Sequence, residues 1–191
     1  GAAVPFSKKK VVLFLLADAA YGGMENTAAL WAATYLVLVK GSDAGTAAAL
    51  ASLFFIGMTV GRLLSGIISG RLNDKNMIRL GQGIFLAGAV LLMLPFGGST
   101  ISYLGFIVIG LGCAPIFPCM SHSIPSLFGT ERTSVIMGFF LSFSMAGIAL
   151  FPFLFGIIAG ETYIHLLPVF MIVIAIANIV LHEAVDKVKC C

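Results

Sequence analysis

Polar residues are sparse along this chain and fall in clusters, and the stretches between clusters are almost wholly apolar. Residues 11–39 form the first such stretch, interrupted by Asp18, Gly22, Gly23 and Glu25 and closed by Lys40-Gly41-Ser42-Asp43. A second covers 46–69 with Arg62 inside it, and a third covers 80–96 after the polar segment 70–79. The fourth, 101–120, carries Pro115 and Pro118 near its end and gives way to a polar stretch at 121–133. The fifth and sixth, 133–159 and 163–181, are joined by a tight Gly160-Glu161-Thr162 turn. Several of these runs exceed the ~18 apolar residues that mark a membrane-spanning helix. Backbone polar groups cannot stay unpaired in hydrocarbon, and the strict polar alternation of a membrane β-barrel is absent, so the runs predict helices. The expected fold is an all-α membrane protein with six transmembrane helices.

Composition agrees: 60% of the 191 residues are hydrophobic and 10% are charged, against about a quarter charged in soluble domains. The net charge of +3 gains meaning from its distribution. With the N-terminus inside, Lys8, Lys9, Lys10, Arg71, Lys75, Arg79, Arg132, Lys187 and Lys189 share one side, and Lys40 stands alone on the other. That asymmetry places both termini in the cytoplasm and explains the positive charge without nucleic acid. The expected location is a membrane, read as a bacterial inner (plasma) membrane. The domain reading is a cytoplasmic segment at 1–10, a six-helix transmembrane domain at 11–182 and a cytoplasmic tail at 183–191. Cys113 and Cys119 lie in an apolar span and Cys190 and Cys191 at the tail, with neither metal-ligand spacing nor a disulfide framework. The vicinal tail pair is read as inert, with lipidation as the alternative. No cleavable signal is expected, and the start at Gly1 without Met is expected of a processed or excised piece of something longer.

Gly66-Ile67-Ile68-Ser69-Gly70 at the end of the second run echoes Gly156-Ile157-Ile158-Ala159-Gly160 at the end of the fifth. Three spans separate the copies, which reverses their direction, as in an inverted three-plus-three repeat. Asp18 and Glu25 are seven residues apart, hence within roughly 20° on one helix face and about 10.5 Å apart along the axis. Ionisable residues in a span cost at least ~2.5 kcal/mol and face a partner or a water-filled cavity. Counting from the cytoplasmic ends puts Asp18 and Arg62 at one level, which predicts an intramembrane ion pair between them. Glu25 sits a little beyond the midplane beside Tyr21, Asn26 and the Gly22-Gly23 pair, which can open the helix. Its expected role is in a cavity; the competing role is to brace the Gly22-Gly23 break. Pro115 and Pro118 predict a helix kink, serving either as a gating bend or as a plain helix end. His122 is expected to be solvated or to face the lipid headgroups, and Ser142 and Ser144 with Gly138 and Gly147 to mark close helix packing.

The segment Gly70-Arg71-Leu72-Asn73-Asp74-Lys75-Asn76-Met77-Ile78-Arg79 resembles the cytoplasmic loop motif of the major facilitator superfamily, through Gly70, Leu72, Asp74, Lys75 and Arg79. Met77 stands where that motif has Gly. The resemblance implies close helix approach at the Gly and a latch formed by the Asp with a neighbouring helix end or an Arg. Tyr21-Gly22-Gly23-Met24-Glu25 followed by Thr34-Tyr35-Leu36 is similar to the seventh helix of the fucose–proton symporter family. Gly61-Arg62 and Pro115-Ile116-Phe117-Pro118 resemble that family's eighth and tenth helices. Together these imply the C-terminal six-helix half of a major facilitator transporter, paired with an N-terminal half or with itself. Asn26-Thr27 and Trp31 depart from that family's pattern; by their place beside Glu25 and their donor, acceptor and stacking chemistry, Tyr21, Glu25, Asn26 and Trp31 are the expected substrate-binding residues. The function implied is secondary transport of a small polar solute, a sugar in the first instance, by alternating access with proton coupling as an option. The alternatives are a carrier of another small organic solute, a non-transporting receptor or scaffold, and a channel, for which no charged filter is present. No catalytic motif occurs, so no enzyme, cofactor or metal is expected.

Overall fold

The computed structural model describes residues 7–94, 98–160 and 162–188, and among these the ordered elements are helices. Helix α1 runs unbroken over Lys8–Leu38, opened by Ser7, whose hydroxyl accepts from the Lys10 N–H. Its 31 residues measure about 46 Å, longer than a ~30 Å hydrocarbon layer. Helices α2 (Ala44–Ala51) and α3 (Leu53–Ile68) form one membrane-length segment interrupted at Ser52. Helix α4 (Asp74–Met93) is capped by the Asn73 side chain, which accepts from the Asn76 N–H. Helices α5 (Gly98–Cys113) and α6 (Ile116–Phe128) share another segment, with a break at Ala114-Pro115. Helices α7 (Thr133–Ala159) and α8 (Leu167–Lys187) complete the bundle. Five of these segments are both long and apolar enough to cross a membrane; α1 has the length, and Asp18, Glu25 and Asn26 dilute its apolar content.

The polar composition of α1 follows from its place. It packs on α7 and α8 and also touches α5, α6 and α2, so its buried residues lie all round the helix. On the far side α5 packs between α3 and α4, and α4 closes the ring against α8. Close approach depends on small residues: a Cβ at Gly147 of α7 would run into the Ala19 carbonyl of α1. Polar bonds fasten the same contacts. Gln82 Nε2 of α4 donates to Asn178 Oδ1 of α8 over 2.7 Å, and Asn178 Nδ2 donates to the Ala17 carbonyl of α1 over 2.7 Å. All these groups are buried, so a single asparagine joins three helices.

Several expectations change. Residues 121–128, expected as polar loop, continue α6 to Phe128, because Ser121, Ser123 and Ser126 return their hydroxyls to backbone carbonyls three residues back. Gly22 and Gly23 do not open α1; they let Ser144 and the Phe151 ring of α7 come close. Pro115 lies at the break itself, whereas Pro118 sits in the first turn of α6, where a missing N–H costs no helical bond. The expected end of the third span at Phe96, as well as Glu161, Lys189, Cys190 and Cys191, lies outside the described residues.

The loop motif also resolves into particular partners. Asp74 Oδ2 meets His122 Nδ1 of α6 at 2.7 Å, so His122 is paired with an acid even though its side chain is 82% exposed. Lys75 reaches Asp186 at 2.6 Å, and Arg79 forms two 2.6 Å bonds to Glu183, fastening the start of α4 to the end of α8. The Asp74 latch therefore closes on a histidine. Gly70 has open space around it and permits no close approach, and Leu72 is exposed. At the other end of the bundle Asp43 caps α2, and the Thr46 side chain and backbone N–H hold its carboxyl below the ordinary value. That cap is fully formed above the carboxyl's unfolded pKa and is lost as pH falls through the lowered one.

Candidate functional site

A cavity of about 200 Å³ opens between α1, α3, α6 and α7, lined by Tyr21, Gly22, Glu25, Arg62, Phe117, Ser144, Met145 and Ile148. It combines one acid, one base, a phenol and an aromatic wall. The Tyr21 hydroxyl hydrogen-bonds Glu25 Oε2, one turn along the same helix, and also reaches the Cys113 carbonyl at 3.1 Å. The Tyr21 ring is buried and lies against Phe117, with centroids 6.2 Å apart. Glu25 is half-buried and Arg62 exposed, which leaves both charges accessible from the cavity mouth.

Arg62 also lines a second cavity of about 310 Å³ with Ser65, Ser69, Met77, Pro115 and Cys119. It therefore stands between the acid on α1 and the α5–α6 break. The expected ion pair between Asp18 and Arg62 is not formed. Asp18 is fully buried, and neither carboxylate oxygen has a hydrogen-bond partner. Asp18 and Glu25 lie on one stripe of α1 about two turns apart, so counting residues from the helix ends assigned Arg62 to the wrong level of that stripe. Arg62 lines the Glu25 cavity instead.

Asn26 and Trp31 line a neighbouring surface groove of about 520 Å³ with Leu30, Thr34, Ile148 and Pro152. Their polar atoms already serve α7. Pro152 has no N–H to give the Ile148 carbonyl four residues back, and Asn26 Nδ2 supplies a donor to it at 2.9 Å. Trp31 Nε1 donates to the Pro152 carbonyl at 3.2 Å, and its ring meets Phe155 edge-on at 5.1 Å. Of the four expected substrate residues, Tyr21 and Glu25 thus share one cavity with Arg62, while Asn26 and Trp31 bond to backbone carbonyls of α7 at and one turn before Pro152. Sequence reasoning missed Met145 and Ile148 and took Ser144 only as a packing residue; all three reach the site because α7 packs on α1. No group of His, Cys, Asp and Glu among the described residues could hold a metal ion.

The sequence profile of the Major Facilitator Superfamily matches residues 13–187. No curated protein matches the chain by sequence. Among solved structures, the peptide transporter POT in complex with alafosfalin superposes with a TM-score of 0.85 at 17% identity, over 97% of this chain and 40% of that one. The same transporter in complex with sulfate gives a TM-score of 0.85 at 18% identity, again over 97% of this chain and 40% of that one. The POT family transporter PepTSo gives 0.72 at 18% identity, over 92% of this chain and 38% of that one. This chain therefore spans about 40% of the length of these transporters. Profile, fold and membrane-length helices agree: the chain is an integral membrane protein with the fold of half a transporter and belongs to the Major Facilitator Superfamily.

Proposed function

We propose that this chain is one half of a secondary carrier, with a six-helix domain at 11–182, that moves a small polar solute by alternating access. Its cavity face binds the solute together with a second half, either an N-terminal six-helix half or a second copy. Both ends of the chain face the cytoplasm of a bacterial inner membrane, a reading supported by the basic-residue asymmetry. The observation that carries the proposal is Glu25 and Arg62 lining one cavity with Tyr21 and Phe117. An unneeded acid and base would be expensive in a membrane bundle, and together they offer a solute opposite charges across a small gap. Glu25 is the acceptor for the solute and the site of the coupled proton.

The sugar expectation rests on the sequence resemblance of α1, α3 and α6 to the fucose–proton symporter family. A second solute class has its own support: an acid and a base in one cavity suit a solute that is itself dipolar, its ammonium toward Glu25 and its carboxylate toward Arg62. Competition for uptake in proteoliposomes, run with hexoses, amino acids and dipeptides under an imposed pH gradient, separates the two classes. Under this proposal Glu25→Gln abolishes proton-driven uptake, at least tenfold, with folded yield intact. Normal proton-driven uptake by that variant would sink the assignment, and loss of folded protein would assign Glu25 to bracing.

A further inference from the structure

The Tyr21 hydroxyl has one proton and two acceptors in reach, Glu25 Oε2 and the backbone carbonyl of Cys113. A phenol donates once and can accept at the same time. Cys113 is the last residue of α5, next to the Ala114-Pro115 break, so its carbonyl is one of the helix-end acceptors that intrahelical bonding leaves over. Both Tyr21 and Cys113 are buried, at 3% and 0% exposure, so bulk water does not replace Tyr21 as the donor to the Cys113 carbonyl.

With Glu25 ionised, the carboxylate only accepts, and the charge-assisted bond claims the phenol proton. The Cys113 carbonyl then has no donor from Tyr21. With Glu25 neutral, its carboxyl O–H donates to the Tyr21 oxygen, and Tyr21 turns its own proton to Cys113. The chain from Glu25 through Tyr21 to Cys113 is then satisfied at every link. Tyr21 keeps its proton in both states, and the proton that is exchanged enters and leaves at the Glu25 carboxyl from the cavity.

We propose that Tyr21 is a positioning residue that ties α1 to the α5–α6 break when Glu25 is protonated and releases it when Glu25 is ionised. The break is also a wall of the second cavity, through Pro115, and Arg62 lines both cavities. Ionisation at one wall of the solute site thereby loosens the element that forms another. This rests on the reading of Glu25 as the proton site.

The test needs no solute and uses the full chain in lipid bilayers, with the proton as its probe. Cys119, Cys190 and Cys191 are replaced by Ser, and ¹³C-carbonyl cysteine then labels Cys113 alone for infrared spectroscopy across a pH titration. As pH rises, the carboxylic C=O band of Glu25 should disappear and the labelled Cys113 amide band should move to higher wavenumber, as a carbonyl does on losing a hydrogen bond. In Tyr21→Phe, which keeps the ring and its contact with Phe117, the Glu25 band should still titrate while the Cys113 band stays fixed. In Glu25→Gln both changes should vanish. A Glu25 band that titrates in the parent with no Cys113 shift overturns the Tyr21 tie alone. Absence of any titrating Glu25 band overturns the proton-site reading beneath it. If Tyr21→Phe does not fold, the parent and Glu25→Gln still decide between these results.

Discussion

Asp18 and Glu25 lie on one stripe of α1, yet their surroundings differ in kind. Glu25 shares a cavity with Arg62 and bonds to Tyr21, whereas Asp18 is enclosed with both carboxylate oxygens unpartnered. An ion-paired buried carboxylate loses about 3–5 kcal/mol when its partnership is broken, because a charge is left stranded. Asp18 has no such partnership to lose, and a lone buried carboxylate is itself a cost. Asp18→Asn is therefore expected to leave the melting temperature unchanged or higher in detergent, measured by scanning fluorimetry across neutral pH. A fall equivalent to several kcal/mol would show that Asp18 has a charged partner after all.

At the scale of elements, contacts are set by where side chains are absent. Gly147 sits against the Ala19 carbonyl, while Gly138, nine residues earlier on the same helix, has nothing within 4 Å of a Cβ. Helix propensity alone favours Ala at both positions by about 1 kcal/mol. Packing reverses the sign at one of them. Gly147→Ala is expected to destabilise by about 1–3 kcal/mol, the usual cost of overpacking, and Gly138→Ala to be neutral or stabilising by up to about 1 kcal/mol. Equal effects in a thermal unfolding series would mean that α1 and α7 are not in the contact described. The same helix pair explains Asn26 and Trp31. The chain places a proline in α7 and, on α1, the two donors that stabilise the carbonyls around it.

For the whole molecule, the exposed apolar surface is extensive. The α2–α3 and α7 segments are only 28% and 22% buried, with Leu63, Ile67, Phe153 and Ile157 among the outward residues. Lipid, and under the proposed function a second half, would cover such a surface. The start of α1 and the end of α8 meet: Ser7, Lys9, Leu13, Ala184, Lys187 and Val188 line one cleft at one end of the bundle. Ser7→Cys and Val188→Cys, made in a chain whose native cysteines are replaced, are expected to react with a membrane-impermeant thiol reagent from the same side. Gly41→Cys, in the turn after α1, should react from the opposite side. Labelling of all three from one face would show that α1 does not cross, and labelling of Ser7→Cys and Val188→Cys from opposite faces would overturn the even number of crossings. Labelling of Ser7→Cys from outside intact cells would reverse the proposed orientation.

The sequence by itself determined the solvent, the helix class and the superfamily, because the length of an apolar run and the identity of a short motif are local properties. Hydrocarbon forces each such run to satisfy its own backbone bonds, so six segments could be read without knowing how they pack. Tyr21 and Glu25 were also legible, one turn apart on one helix, as was a break near Pro115. The partners were not, since they depend on helix rotation and tilt. Depth along the axis paired Arg62 with Asp18, whereas in the packed bundle Arg62 lines the cavity of Glu25, about two turns further along α1, and Asp18 is enclosed without a partner. His122 is solvated as expected, but its bond to Asp74 was not legible, because it forms only where α6 extends far enough to meet the start of α4. Gln82 and Asn178, 96 residues apart, carried no sign of each other and meet only because α4 packs on α8. A helical sequence fixes its own backbone bonds, and the face each side chain presents to a neighbour is settled by the competition among all helices for close contact.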